Sequence, residues 1–367
     1  MTAFVEDLIF EGSPLRWVPI LGLVDEDVDP LPPDNTADAA RNALPDDGSY
    51  IVLPGVNSGL MPSTDEADLI VVSGSQTFSD QSSTLKVITG RKFTGNVTIT
   101  GKNYLFKNCL FNGPGGVSAL VVAWAVTVQN LVLEDCEIRM TVTGTKTARG
   151  FQGWNATLRR VWIHDVEDGF MPFRLDMNDA SNLDKALDLA LRMYGSHVDD
   201  LVMYSPDSQV GGTQRDHQTH NDAMQANGGT NVVLRGNTIL GRHNMALGDA
   251  LVPNNPPGSS GASHISGNLF YPADNAYSAF MFSSGTQAKK FGSWTIDRNR
   301  VGSGAVVFNL AGAQMAPGGL IQITNNVVIE EPYHAGAFVK RPLAIDGQLL
   351  VSGNTRPDGS AFNTKVT

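Results

Sequence analysis

The chain has 367 residues, of which 17% are charged and 38 are glycine, and its 37 acids against 26 bases give a formal net charge of −11. That balance argues against non-specific binding to nucleic acid or to an anionic membrane surface. Few charges and many glycines suit an all-β protein of short strands and tight turns better than a helical one, and 41% hydrophobic residues suffice for a large core.

The chain opens with MTAFVEDLIFEG, where Glu6 and Asp7 stand at the place a signal peptide gives to basic residues, so no Sec-type export is expected. An apolar run from Leu15 to Val24 is interrupted by Pro19 and Gly22. Residues 25–49 are acidic and carry Pro30, Pro32, Pro33 and Pro45. Such a stretch reads as an extended connector or an arm laid against a partner, with an ordinary domain segment as the alternative. The longest apolar run, Val117 to Val128, has 12 residues, short of the ~20 that span a bilayer. No membrane insertion is expected.

From Tyr50 to Thr100, short β-type runs alternate with Gly/Ser turns: YIVLPG, LIVVSGS, TLKVITG and GNVTITG. A block of alternating apolar residues around a central polar one then recurs. It reads YLFKNCLF at 104–111, LVLEDCEI at 131–138, ATLRRVWI at 156–163, HVDDLVMY at 197–204 and VVLRGNTI at 232–239, and continues to LLVSGNTR at 349–356. Aligning Asn108, Asp135, Arg160, Asp200, Asn237, Asn268, Asn299, Asn326 and Asn354 gives steps of 27, 25, 40, 37, 31, 31, 27 and 28. Self-similarity at that period, built from period-2 runs, signals a β-solenoid.

A second strand follows most blocks: RGFQGW (149–154), DGFMPF (168–173), DAMQA (222–226), NMALG (244–248), SAFMF (278–282), GAVVFN (304–309) and GAFVK (336–340). Two or three strands per turn of roughly 25–30 residues predict an all-β, right-handed parallel β-helix whose coils bury their apolar faces only by stacking. The expected division is an N-terminal arm over 1–49 and a β-helix domain over 50–367, with regular coils from about 85 to 356. Cys109 and Cys136 share a phase and stack as buried free thiols, with a disulfide as the lesser alternative. Trp154, Trp162, Trp294 and Trp124 fit the core better than a sugar-stacking surface.

Two steps exceed the rest. Between Phe173 and His197, NDASNLDKALDLALRMYG (178–195) places Leu183, Leu187, Leu191 and Tyr194 on one helical face, with Gly195 as the stop. Between Tyr204 and Asn221 lies a polar loop, SPDSQVGGTQRDHQTH. Long insertions in a regular scaffold are where function concentrates.

Asp168 opens DGFMPF and Asp222 opens DAMQA, and only one enlarged coil separates them. On adjacent rungs their carboxylates are expected roughly 5–7 Å apart. Like charges that close split their pKa values into an acid and a base, at a separation that overlaps that of glycoside hydrolases. His164, His217, His220 and His243 project toward the same patch, with Asn244 and Gln225 beside them. The candidate catalytic set is therefore Asp168, Asp222 and His220, and the candidate substrate-binding set is His164, His217, Gln225, His243 and Asn244. The same groups suit a divalent metal, and Asp or Asn at strand starts also serves to satisfy turn backbone, so three readings stand: a structural ladder, a carbohydrate groove and a metal site. The VGGT stretch at 210–213 lacks the lysine of a phosphate loop, and no CxxC, HExxH or GxSxG occurs, so no cofactor and no metal are assigned.

THNDAMQANGGTNVVLRGNTILG (219–241) resembles the H-x-D-G-I-Q … N-V-x-I-x-x-N coil of right-handed parallel β-helix proteins, with Ala223 where Gly is usual, a change expected to narrow the local groove. KVITGRKFTGNVTITGKNYLFKNCLFNG (86–113) resembles the opening coils of minor tail proteins of actinobacterial siphophages. The resemblance implies a virion protein at the tail tip that binds host cell-envelope glycan during adsorption. It also implies attachment to other tail proteins through residues 1–49, and a homotrimer. A polysaccharide hydrolase or lyase working through the paired aspartates is the first alternative, and a purely structural tail component the second.

Overall fold

A computed structural model describes residues 52–366 apart from 115–118, 126, 142–147, 173–190, 202–221, 228–231, 242–244, 249–262, 273–277, 284–291, 303, 305, 314, 316–317, 331 and 333–337. Strands from each turn of the chain add in parallel to those of the turn before, and the result is a parallel β-helix with three faces. The first face runs from Lys86–Thr89 to Leu349–Ser352 and the second from Ile70–Val72 to Val327–Val328, each ten strands long. The third begins at Gln76–Phe78 and reaches Phe170–Pro172, where a parallel bridge from Phe170 to Met224 hands it on to a second run ending at Lys365–Val366.

The alternation in the sequence accounts for the strands. On the first face Leu131 and Leu133, Ala156 and Leu158, Leu191 and Met193, and Val232 and Leu234 all point into one continuous core. Phenylalanines fill its axis in runs, Phe93 stacking on Phe111 with ring centroids 5.2 Å apart and Phe280 on Phe308 at 4.8 Å. Trp154 and Trp294 are buried as expected, whereas Trp124 stays 41% exposed. Cys109 and Cys136 are free, buried thiols.

One buried polar column sets the coil register. The Oδ1 of Asn268 accepts both the backbone N–H and the Nδ2–H of Asn237, at 3.0 and 2.9 Å. Asn299, Asn326 and Asn354 repeat the pattern coil by coil, and Asn363 receives the last pair. Each free Nδ2–H turns to a strand carbonyl, as from Asn299 to Ile265. Ser196 extends the column upward by donating its N–H to Asn237 Oδ1 and accepting that of Val161 on its hydroxyl. A buried amide is tolerable only when its donors and acceptors are paired, and these are.

This column corrects the sequence alignment. Asn108, Asp135 and Arg160 stand one position earlier, at a turn residue with φ near +53°, which Gly195, Gly236, Gly267, Arg298, Asn325 and Gly353 occupy in later coils. Asp200 lies outside the column, and Ser196 takes its place, so the enlarged steps are 35 and 41 residues. The coil that matches ATLRRVWI is accordingly LRMYGSHV (191–198) rather than HVDDLVMY. The expected helix over 178–195 is corrected at its end: Leu191–Tyr194 is a strand of the first face, because Leu191 and Met193 fill the core rung between Ala156/Leu158 and Val232/Leu234. Residues 178–190, like the arm over 1–49, lie outside the described residues.

The described part of YIVLPG, residues 52–55, does not supply a strand of any face. From Val52 the chain runs along the outside of the second face before joining it at Ile70. Val52 accepts on its carbonyl from His197 and donates its N–H to Thr238 Oγ1. Gly59 donates to the Arg160 carbonyl, and Met61 and Thr64 engage the side-chain amide of Asn108. Glu66 pairs with Lys92 and Arg139, which hold its carboxyl below the usual range. Residues 52–69 are thus a strap tied to the body at several points along its length.

Two outcomes follow. Asn299→Ala strips the acceptor from two groups of Asn268 and should cost about 2–5 kcal/mol in urea unfolding, and an unchanged midpoint would refute the ladder's role. Gly59 has φ +82°, and a Cβ there would sit 3.1 Å from Trp162 Cβ. Gly59→Val should therefore raise the rate of limited proteolysis within 52–69 several-fold while the β-helix core stays intact; equal rates would mean that the strap is not seated on Trp162.

Candidate functional site

The corner where the second face turns into the third carries the candidate carboxylates. Three successive rungs start alike, with Arg149, Asp168 and Asp222 in line, followed by Gly150, Gly169 and Ala223, then Phe151, Phe170 and Met224. A Cβ on Gly150 would meet Ile163 Cγ2 at 2.5 Å, and one on Gly169 would meet Val198 Cγ1 at 2.6 Å, so the second position of this corner faces the core. The methyl of Ala223 is accordingly a core group, fully buried. It fills the interior and does not narrow an outer groove, contrary to the expectation from the motif.

Asp168 and Asp222 are nearest neighbours, as their shared phase predicts. The Asp222 N–H lies 3.2 Å from Asp168 Oδ1, and the Gly169 N–H donates to the Asp222 carbonyl at 3.0 Å. Arg149 Nε donates to Asp168 Oδ2 at 3.1 Å. Asp222 Oδ2 has no hydrogen-bond partner among the described residues. The two aspartates are only 2% and 3% exposed. Burial pushes the Asp168 carboxyl up to about 7, against the pull of Arg149. Asp222 is also raised, well above the ordinary carboxylate range, by burial and then by the charge of Asp168. Such a pair holds a proton at neutral pH and can give or take one, the electrostatic arrangement that acid–base chemistry uses.

Three residues along the strand, ~10 Å away, a second row points away from the core but is covered, with Gln152 and Met171 only 3% and 2% exposed. Gln152, Met171 and Gln225 lie in line, and Gln152 Nε2 donates to Met171 Sδ at 3.3 Å. The Oε1 atoms of Gln152 and Gln225 are buried and have no donor among the described residues. Gln225 was expected on this face; Arg149 and Gln152 were not, although aligning RGFQ with DGFM and DAMQ exposes both.

His164 stands apart from the pair, on the second face. Its Nδ1 lies 2.8 Å from Asp165 Oδ2 and its Nε2 3.2 Å from Glu137 Oε1, and its ring stacks on Trp162 with centroids 3.7 Å apart. Four residues before Asp168 in sequence, it is carried around the corner by the chain. Next to it, Asp199 accepts from Trp162 Nε1 at 2.7 Å and pairs with His197, and these bonds outweigh burial to hold its carboxyl low. His217, His220, His243 and Asn244 lie outside the described residues. No group of three or more His, Cys, Asp or Glu able to hold a metal ion occurs among the described residues, and no helix among them is long and apolar enough to cross a membrane.

No protein-family model matches the chain, and no curated protein matches it.

The raised carboxyl values have a thermodynamic sign. A carboxyl whose folded pKa exceeds its unfolded value contributes stability that is complete below about 4 and lost as pH rises through about 7, the Asp168 value. Asp222→Asn removes one of the two charges and supplies an amide for the unpartnered position. Its unfolding free energy should match wild type near pH 4 and exceed it at pH 8 by at least about 1.4 kcal/mol, the equivalent of one pKa unit. A variant less stable than wild type at pH 8 would contradict the assigned proton-holding pair.

Proposed function

We propose that the protein is a virion component of a bacteriophage, placed at the tail tip, whose third face binds cell-envelope glycan during adsorption. The observation that carries the reading is the set of buried oxygens on that face that have no donor among the described residues: Gln152 Oε1, Asp222 Oδ2 and Gln225 Oε1. An unpaired buried acceptor costs about 1–3 kcal/mol, and a polyhydroxylated ligand supplies the missing donors at the spacing of the rungs. The virion placement is supported by the tail-protein cadence of residues 86–113 and by the acidic, proline-rich stretch at 25–49, which suits attachment to other tail proteins. Trimerisation and host wall polymers of the actinobacterial type belong to the same reading.

The full chain is expected to bind purified actinobacterial cell-wall polysaccharide saturably, and Gln152→Ala with Gln225→Ala should weaken that binding at least tenfold. Failure of the wild-type chain to bind any wall polysaccharide would overturn the proposal.

A second reading, cleavage of that glycan, is favoured by the adjacency of two buried carboxyl residues, the Asp222 N–H lying 3.2 Å from Asp168 Oδ1, with burial raising the Asp168 carboxyl to about 7. A protonated Asp222 would deliver a proton to the glycosidic oxygen while Asp168 acts as base or nucleophile on the opposite step. Release of reducing ends, or of unsaturated uronates for a lyase, should fall at least a hundredfold in Asp168→Asn and Asp222→Asn. Activity that survives both substitutions would remove the pair from the chemistry.

A further inference from the structure

The first face carries a concentration of positive charge. Leu158, Met193 and Leu234 point into the core, so the residues that follow them point outward. That outward row runs Lys107, Glu134, Arg159, Tyr194 and Arg235 on five consecutive rungs. Arg192 takes the neighbouring outward position, two residues before Tyr194 on the same strand. Arg159, Arg192, Tyr194 and Arg235 are each half-buried and so reach solvent. Rungs lie ~4.8 Å apart and outward positions along a strand about 7 Å apart, so long arginine side chains on all three strands reach the neighbourhood of the Tyr194 ring. Burial raises the Tyr194 phenol above its ordinary value, and Arg192, Arg235 and Arg159 all pull against that rise.

The carboxylates nearby are already committed. Glu134 is shared by Lys107, Arg159 and Arg160, at 3.0, 2.9 and 3.4 Å, and Asp135 pairs with Arg160. In the other direction the row continues with Ser266, so the next carboxylate, Asp297, stands two rungs beyond Arg235 and is bonded to Arg298, Thr324 and Asn325. Arg192 makes no ion pair or hydrogen bond among the described residues, and its rung neighbours are Thr157 and Val233. Lys107, Arg159, Arg160, Arg192 and Arg235 thus stand against Glu134 and Asp135 alone, a local excess of positive charge in a chain of net charge −11. Like charges drawn together on neighbouring strands are destabilising, and an anion on the patch relieves that cost.

We infer that Arg192, Arg235 and Tyr194, with Arg159 at the rim, form a binding site for a phosphoryl group on the first face. A guanidinium presents paired N–H donors that match two oxygens of an oxyanion. Two such forks and a phenol O–H exceed what the two oxygens of a carboxylate accept, and they suit the larger oxygen set of a phosphoryl group. Free phosphate and a phosphodiester polymer share that chemistry. The strand Leu191–Tyr194 also stands in sequence between the two long insertions, where a regular scaffold concentrates function. The site lies on a different face from Asp168 and Asp222 and does not rest on the glycan reading.

The test titrates the full chain with inorganic phosphate, with a poly(glycerol phosphate) and with acetate in a calorimeter at low ionic strength. Phosphate or the polymer should bind saturably, and acetate at least tenfold more weakly. Arg192→Ala should weaken that binding at least tenfold. Arg192→Lys should restore only part of the loss, since an ammonium lacks the fork, and Tyr194→Phe should cost several-fold. Arg300→Ala, which removes a half-buried charge from the second face, should leave the affinity unchanged. Added phosphate should raise the unfolding midpoint of wild type and not that of Arg192→Ala. Tighter binding of the polymer per phosphoryl group upholds the site with a polymer as its ligand, and equal binding upholds it with a small anion. No saturable binding by the wild-type chain, equal affinity for acetate, or equal losses in Arg192→Ala and Arg300→Ala would overturn the inference, and each would leave the reading of the third face standing.

Discussion

Everything in this fold depends on keeping one coil in register with the next, and from Ser196 to Asn363 a buried column of side chains imposes it. Parallel strands with short rungs offer little else that distinguishes one alignment from a slipped one. An amide in the interior changes that, because a slip of one residue leaves several buried donors and acceptors unmet at about 1–3 kcal/mol each. The column holds across coils of very different length. Val161, Ser196 and Asn237 are linked across 35 and 41 residues as faithfully as Asn299 and Asn326 across 27. Extra residues in those two long coils therefore enter between rungs without shifting the rungs themselves.

The site follows from that tolerance. Asp168 and Asp222 are 54 residues apart, yet the Asp222 amide meets the Asp168 carboxylate. Neither would be buried as an isolated surface aspartate, and it is their withdrawal from water on adjacent rungs that raises their proton affinity. Arg149 one rung above offsets part of the penalty for Asp168, while Asp222 has no such partner among the described residues. Burial therefore raises both carboxyls, Asp168 to about 7 and Asp222 with no basic partner among the described residues to oppose the rise. A purely structural ladder of aspartates would gain by pairing both.

Much of this was legible in the sequence, because a solenoid writes its period directly into the spacing of apolar residues. The all-β parallel fold, the stacked thiols and the adjacency of Asp168 and Asp222 followed from phase alone. The alignment slipped by one where asparagine serves two purposes: Asn108 and Asn325 adopt positive φ at the turn, while Asn237 and Asn326 satisfy the interior. Both uses exploit a short amide, so residue type did not separate them. Leu191 to Tyr194 carries a pattern compatible with a helix, and only the rung waiting on either side makes it a strand. His164 was grouped with Asp168 by sequence distance, but the corner between faces intervenes and gives its ring to Glu137, Asp165 and Trp162. The strap left no periodic signal, since its ties run to side chains and carbonyls of many different coils.

The most direct measurement of the account is a cross-link between the two rungs on which the site is built. Neighbouring parallel strands bring equivalent Cα atoms to about 4.8 Å, within the range a disulfide spans. A chain carrying Asp168→Cys and Asp222→Cys should form that bond nearly quantitatively under mild oxidation, identified by peptide mapping as a link across 54 residues, and should remain folded. Failure to form it in the folded protein, or a preference for pairing with Cys109 or Cys136, would mean that the coils are not registered as described and that the third face carries no such site.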